Sequence, residues 1–162
     1  TGCFQYSNTT ADTHRTAAAL METGLPAAEL NKRHFRTQTL TRLRIESRIV
    51  EGMELFDGGE TAVAAVDLAM VAQLGADERD LEDIASCVGQ VEGVKNAITI
   101  RELRPGTCKL SLRTAPEVLT ASRVCALLGG GGHAAASGAT VEGSVEEAKR
   151  AILWAIEQVR HG

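Results

Sequence analysis

Apolar residues recur along the first 56 positions of the chain at helical spacing, and the remainder mixes helical stretches with strand-like runs, among them the clean two-residue alternation of 108–113. Over 11–24, Ala17, Ala18, Leu20 and Met21 form one apolar side, and Gly24 stands where a helix would stop. Pro26 suits the first turn of a second, short helix reaching about Phe35. A third helix is predicted over 39–56, with Ile45, Ile49, Met53 and Phe56 on one stripe and Leu43 and Val50 beside it. Its outer face carries Arg42, Arg44 and Arg48, which reads as a solvated face.

Gly58-Gly59 interrupts the pattern. A strand is predicted over 61–67, a short helix over 68–74 and an acidic helix over 77–88. Residues 93–104 and 107–114 read as strands joined by the Pro105-Gly106 turn, hence a hairpin. Thr114, Pro116 and Glu117 have the spacing of a capping box with an early proline, predicting a helix to Leu128 that the glycines at 129–132 end. A short strand fits 139–142. Ser144 with Glu147 opens a terminal helix whose buried stripe is Val145, Ala148, Ile152, Ile156 and Val159. Helices first, then mixed strands and helices, predict an α+β (mixed α/β) fold: a mixed sheet of about 105 residues behind a helical lead-in. The glycine pair and a charge shift put the boundary near residue 57.

That charge shift refines the picture. Residues 1–50 hold seven Lys/Arg against four Asp/Glu, a net +3, whereas 51–162 hold ten against seventeen, a net −7. An acidic body argues against tight non-specific binding of long duplexes, which rests on phosphate neutralisation, but leaves room for a small phosphorylated ligand in a local basic pocket. The composition, 44% apolar and 23% charged, is that of a globular chain. No apolar run is long enough for a membrane span. The four cysteines, Cys3, Cys87, Cys108 and Cys125, include no C-x-x-C pair and no histidine at ligand spacing, so buried thiols in a reducing cytosol are expected, with neither disulfides nor zinc. The chain opens Thr1-Gly2 without an initiator Met, which predicts a fragment of something longer.

Three segments could carry chemistry. Gly129-Gly130-Gly131-Gly132-His133, followed by Ala134-Ala135-Ala136-Ser137-Gly138, is either a flexible connection with an incidental histidine or an anion cradle. Glycines let backbone N–H groups approach a phosphate, and a helix beginning at 134–137 would add its positive end. On the strand ending at Thr114, Lys109, Ser111 and Arg113 alternate with Cys108, Leu110 and Leu112. That polar row is either a solvated sheet face or an anion site in which Arg113 offers a planar fork. Asn8, Thr9 and Thr10 precede the first helix, as caps or as part of an anion-binding loop.

Together these segments resemble one family. Gly-Gly-Gly-Gly-His with its small-residue tail is similar to the signature of the DHH-associated C-terminal domain, and Ser111-Leu112-Arg113-Thr114 resembles the strand preceding it there. Thr1-Gly2-Cys3-Phe4-Gln5-Tyr6-Ser7-Asn8-Thr9-Thr10 resembles the last motif of the catalytic DHH domain in the nanoRNase and phosphoadenosine-phosphate phosphatase branch. Gln5 stands where relatives often carry Arg, and Cys3 where Ser is common. The resemblance implies a remnant of the DHH domain over 1–36, a linker helix over 37–56 and a substrate-binding domain over 57–162. It implies that Arg113, Gly130, Gly131, Gly132 and His133 hold the phosphate or nucleotide, and that Asn8, Thr9 and Thr10 line the cleft from the catalytic side. Nucleotide or short oligonucleotide is the implied ligand.

The family hydrolyses phosphoesters with a two-metal site, usually manganese, whose ligands lie in the DHH domain. One of them would be the residue just before Thr1. The chain itself is therefore expected to carry no metal, no cofactor and no hydrolysis of its own, and to work with the missing DHH domain in a cytoplasmic enzyme. Loss of that domain would expose apolar surface, so a homodimer through 1–56 is expected. Two alternatives stand beside this reading: a stand-alone tRNA-binding module of the kind appended to alanyl-tRNA synthetases, and a domain with no ligand.

Overall fold

The computed structural model describes residues 2–4 and 8–161. Its contacts divide the chain into two compact units, Thr1–Thr39 and Leu40–Gly162. Among the described residues no helix is long and apolar enough to cross a membrane.

The first unit is helical. Helix α1 (Ala11–Glu22) starts on Thr10, whose Oγ1 accepts from the Thr13 amide at 3.3 Å while Thr13 Oγ1 accepts from the Thr10 amide at 3.2 Å. Beyond its end Gly24 takes φ +84°, a conformation glycine adopts without strain. Helix α2 (Ala27–Asn31) follows Pro26 and continues as a wide turn over Lys32–Arg36. Leu20, Met21, Leu25 and Phe35 remain exposed in this unit.

The second unit is built on one six-stranded mixed sheet. Its strands are β1 (Glu54–Phe56), β2 (Thr61–Val66), β3 (Asn96–Arg104), β4 (Thr107–Thr114), β5 (Gly131–Gly132) and β6 (Ala136–Glu142). They lie in the order β1-β2-β3-β4-β6-β5, with β2 and β3 parallel and every other neighbour antiparallel. Pro105-Gly106 makes the β3–β4 turn, and Gly106 supplies the positive φ it needs. The helices are α3 (Leu40–Glu51), α4 (Leu68–Leu74), α5 (Ala85–Val88), α6 (Ala121–Ala126) and α7 (Val145–His161).

One face of the sheet is sealed. Ile98, Ile100, Leu110 and Leu112 pack there against Val124 and Cys125 of α6 and against Ala148, Ile152, Ala155 and Ile156 of α7. Burying each large aliphatic side chain contributes about 1.5–3 kcal/mol, so this face is the main energetic anchor. On the opposite face, among the described residues, the apolar cover lies mainly over β2 and part of β3, where Ala62, Ala64, Val66 and Ala97 meet Ile45 and Ile49 of α3 and Leu81, Ile84 and Val88. Strand β2, covered on both sides, is accordingly an almost unbroken apolar run.

Several elements depart from the sequence-based expectation. Helix α3 stops at Glu51 rather than 56, because Gly52 ends it and the next residues pair with β2, taking Phe56 into the sheet core. Arg42 is not solvated. Its guanidinium donates to the Asp80 and Glu82 carbonyls and its Nε to Glu46 at 2.7 Å. Those carbonyls are available because the predicted helix over 77–88 is broken. Asp77 and Asp80 cap a single tight turn at Glu78–Leu81, and Asp83 takes φ +50° before α5. The helix predicted from Thr114 begins only at Ala121, since Thr114 ends β4 and its amide donates to the Ala135 carbonyl at 3.0 Å. Strand β3 begins at Asn96 rather than 93, and β6 at Ala136 rather than 139. The terminal capping box forms as expected, with the Ser144 amide donating to Glu147 at 2.7 Å. That contact, with the Ser144 hydroxyl, holds the Glu147 carboxyl below the usual carboxylate range.

Candidate functional site: a cationic cleft on the open sheet face

Where the second face loses its helical cover, a cleft of about 240 Å³ opens over β3 and β4. Strand alternation sets its floor. Cys108, Leu110 and Leu112 enter the sealed core, so Lys109, Ser111 and Arg113 must face the other way. The β3–β4 register aligns Thr99 with Ser111 and Arg101 with Lys109, which completes the floor. Leu81, Ile84 and Ala85 form an apolar wall, and Asp83 joins them at the rim. The cleft thus offers cations along one side and an apolar surface along the other, the pairing a nucleotide needs for phosphate and base.

The polar groups of this floor are unevenly satisfied. Thr99 is only 3% exposed, yet its hydroxyl has no hydrogen-bond partner. Arg101 donates through Nη2 to Glu78, while its buried Nε has no partner. Among the described residues neither the Lys109 nor the Arg113 side chain has a hydrogen bond or an ion pair. Buried polar groups are normally paired, so an orphaned hydroxyl and guanidinium nitrogen at a cleft floor leave room for an acceptor from outside. The Glu78 carboxyl is held below the usual carboxylate range by the Arg101 hydrogen bond first, then by the Arg101 charge, with a smaller contribution from Lys109.

The glycine run forms a hairpin, not the start of a helix. His133 and Ala136 exchange backbone hydrogen bonds of 2.8 and 3.2 Å around a turn of Ala134 and Ala135, and the Ser137 hydroxyl donates to the His133 carbonyl at 2.9 Å. The Ala134 carbonyl accepts from the Ala121 amide at 2.7 Å, which fixes the turn to α6. The amides of Gly129 and Gly130 donate to Ala126 and Cys125 carbonyls and are not free for an anion. A Cβ at Gly130 would lie 2.2 Å from the Gly138 carbonyl oxygen, and one at Gly132 2.7 Å from that of Ala136. These two glycines are therefore required by strand packing. Gly131 differs, because a Cβ there would meet open space.

Register divides the predicted residues of the second unit: Gly131 falls on the side of Arg113, whereas Gly132 aligns with Ser137 and so with Leu112 of the sealed face, and Gly130 abuts Ala139 of that face. Gly131 aligns with Gly138 and so with Ser111, and Ala136 aligns with both Arg113 and His133. The exposed His133 and Arg113 thus lie two strands apart, roughly 10 Å at the backbone, with Arg113 lining the cleft and His133 outside its lining. Asn8, Thr9 and Thr10 belong to the first unit, with Asn8 exposed and Thr10 serving as the α1 cap. Thr1, Gln5, Tyr6 and Ser7 of the opening motif lie outside the described residues.

Residues 60–161, the second unit from just before β2 onward, match the DHHA1 domain. The chain belongs to the DHHA1 domain family. Over 163 aligned residues it is 32% identical to the bifunctional oligoribonuclease and PAP phosphatase NrnA of Thermus thermophilus, covering 98% of this chain and 47% of that protein. The chain therefore spans about half the length of this curated relative. An exopolyphosphatase-related protein from Bacteroides fragilis superposes with a TM-score of 0.86 at 22% identity, over 96% of this chain and 45% of that one. A pGpG-specific phosphodiesterase from Vibrio cholerae gives a TM-score of 0.52 at 12% identity, over 98% of this chain and 52% of its own. At these identities the two likenesses are of fold.

Within the DHHA1 domain, Thr99, Arg101 and Asp83 are the polar cleft residues that the sequence did not single out, and Leu81, Ile84 and Ala85 the apolar ones. The alternation of β3 signals Thr99 and Arg101 only once its register with β4 is known. Asp83 reaches the rim because of the break in the acidic segment. Among the described residues no three His, Cys, Asp or Glu side chains converge as a metal ion would require. Burial pushes the Cys87, Cys108 and Cys125 thiols up, while Cys3 is exposed.

Proposed function

We propose that this chain is the substrate-holding part of a cytoplasmic, metal-dependent phosphoesterase acting on short oligonucleotides or on 3′-phosphoadenosine 5′-phosphate. The observation that carries the reading is Arg113. It stands without a carboxylate partner on the floor of a cleft whose other side is apolar, aligned through Ala136 with His133. A guanidinium suits bidentate capture of a phosphate, and the wall of Leu81, Ile84 and Ala85 suits a base. The name of the Thermus relative supports the substrate class. Hydrolysis, with its manganese pair, is assigned to the catalytic DHH domain that the family pairs with this one. Asn8, Thr9 and Thr10 are read as serving that catalytic side, and self-association is assigned to 1–56.

Titration of the protein with 3′-phosphoadenosine 5′-phosphate and with a dinucleotide tests the assignment. Arg113→Ala is expected to weaken both about tenfold or more, the order of a hydrogen-bonded charge contact, and His133→Ala to weaken them less. Unchanged affinity in Arg113→Ala, or preferential salt-dependent binding of structured RNA, would overturn it.

A further inference from the structure

Beyond Arg113 the cleft continues along β4, and its far end is built as carefully as the near one. We infer that Lys109 and Arg101 form a second phosphate subsite, two internucleotide steps from the first, so that the cleft takes a single-stranded oligonucleotide of about three phosphates lying along β4. This rests on the functional reading above and extends it from a phosphate clamp to a length register.

Three observations carry it. Arg113, Ser111 and Lys109 occupy alternate positions of one strand, so they repeat at about 6.7 Å and span about 13 Å. That repeat is comparable with the phosphate spacing of an extended single strand, whose bases would face the apolar wall. Next, Arg101 is aligned with Lys109 across the strands, and its buried Nε has no partner. Between the two ends the Thr99 hydroxyl, likewise buried and unpartnered, faces the cleft in line with Ser111. The third observation is that an anion already stands at the far end. Glu78 accepts from Arg101 and feels the Lys109 charge, yet its side chain is 81% exposed against 20% for Arg101. An exposed carboxylate held this way contributes little to stability and is displaced readily by a phosphate. Glu78 thus marks the subsite and competes for it.

The test is a titration of the protein with adenosine 5′-monophosphate and the 5′-phosphorylated di- and triadenylates at several salt concentrations. In Lys109→Ala the triadenylate is expected to bind about tenfold more weakly, with its salt slope reduced by about 0.7, while the monophosphate is unaffected. In Glu78→Gln the triadenylate should bind a few-fold more tightly, again without change for the monophosphate, an effect that a structural ion pair cannot produce. Equal effects of Lys109→Ala on all three ligands, or no effect on any, would overturn the second subsite while leaving an Arg113 clamp intact. If Arg113→Ala changes nothing, the functional reading itself fails.

Discussion

The two faces of the central sheet are made by the same strands and carry opposite loads. On β4, Cys108, Leu110 and Leu112 are fully buried under α6 and α7, whereas Lys109, Ser111 and Arg113 line an open cleft. On β3, Ile98 and Ile100 alternate in the same way with Thr99 and Arg101. A strand's period of two lets one segment serve stability and recognition independently, because neighbouring side chains never share an environment. Stability and ligand binding should therefore separate by residue parity.

The sharpest way to break this contrast is to cut adjacent residues. Leu110→Ala should lower stability by about 2–5 kcal/mol through the cavity it leaves, while Ser111→Ala should stay within about 0.5 kcal/mol. Denaturant unfolding of the pair would read this directly, and comparable losses would mean that the cleft face is structural after all. A smaller effect separates two glycines of the hairpin. Gly130→Ala forces a Cβ against the Gly138 carbonyl and should cost about 1–3 kcal/mol, whereas Gly131→Ala, facing open space, should leave the thermal midpoint nearly unchanged. Equal midpoints would show that the glycine run is looser than its packing indicates.

The smallest expected effect lies at the polar end of the sealed face. There Asp57 accepts from the Thr61 hydroxyl and from Arg160, both at 2.7 Å, and Asn96 donates to Thr61 at 3.1 Å. The Thr61 hydrogen bond first, and Arg160 with it, hold the Asp57 carboxyl below its ordinary value. A lowered folded-state pKa means that this contribution is present above about pH 4 and is lost as pH falls through the folded value. Asp57→Asn, which tolerates the positive φ at this position, should lower the thermal midpoint by a few degrees at pH 7. The gap should close on acidification below about pH 4. A gap that persists there would assign the effect to backbone geometry rather than charge.

How much of this was legible beforehand differs between elements. The alternation of β4, the Pro105-Gly106 turn, the stripe of α7 and the Ser144–Glu147 box are local patterns, and each took the form its own residues specify. The glycine run was legible as special but not as a hairpin. Gly130 and Gly132 are demanded by strands 138 and 136–137, which no local rule connects to them. Arg42 looked like a surface residue because its partners, the Asp80 and Glu82 carbonyls, become available only when the acidic segment breaks 38 residues away.

What the sequence alone determined, then, is the set of elements whose signal is periodic or capped within a few residues, together with the polar row ending at Arg113. What only the tertiary structure decided is which residues meet. The β3–β4 register set Arg101 beside Lys109 and Thr99 beside Ser111, and the missing helical cover left them facing a cleft. The physical reason is that propensity and capping energies act over one or two turns, whereas register and cover arise from burying apolar faces brought together from positions far apart in the chain.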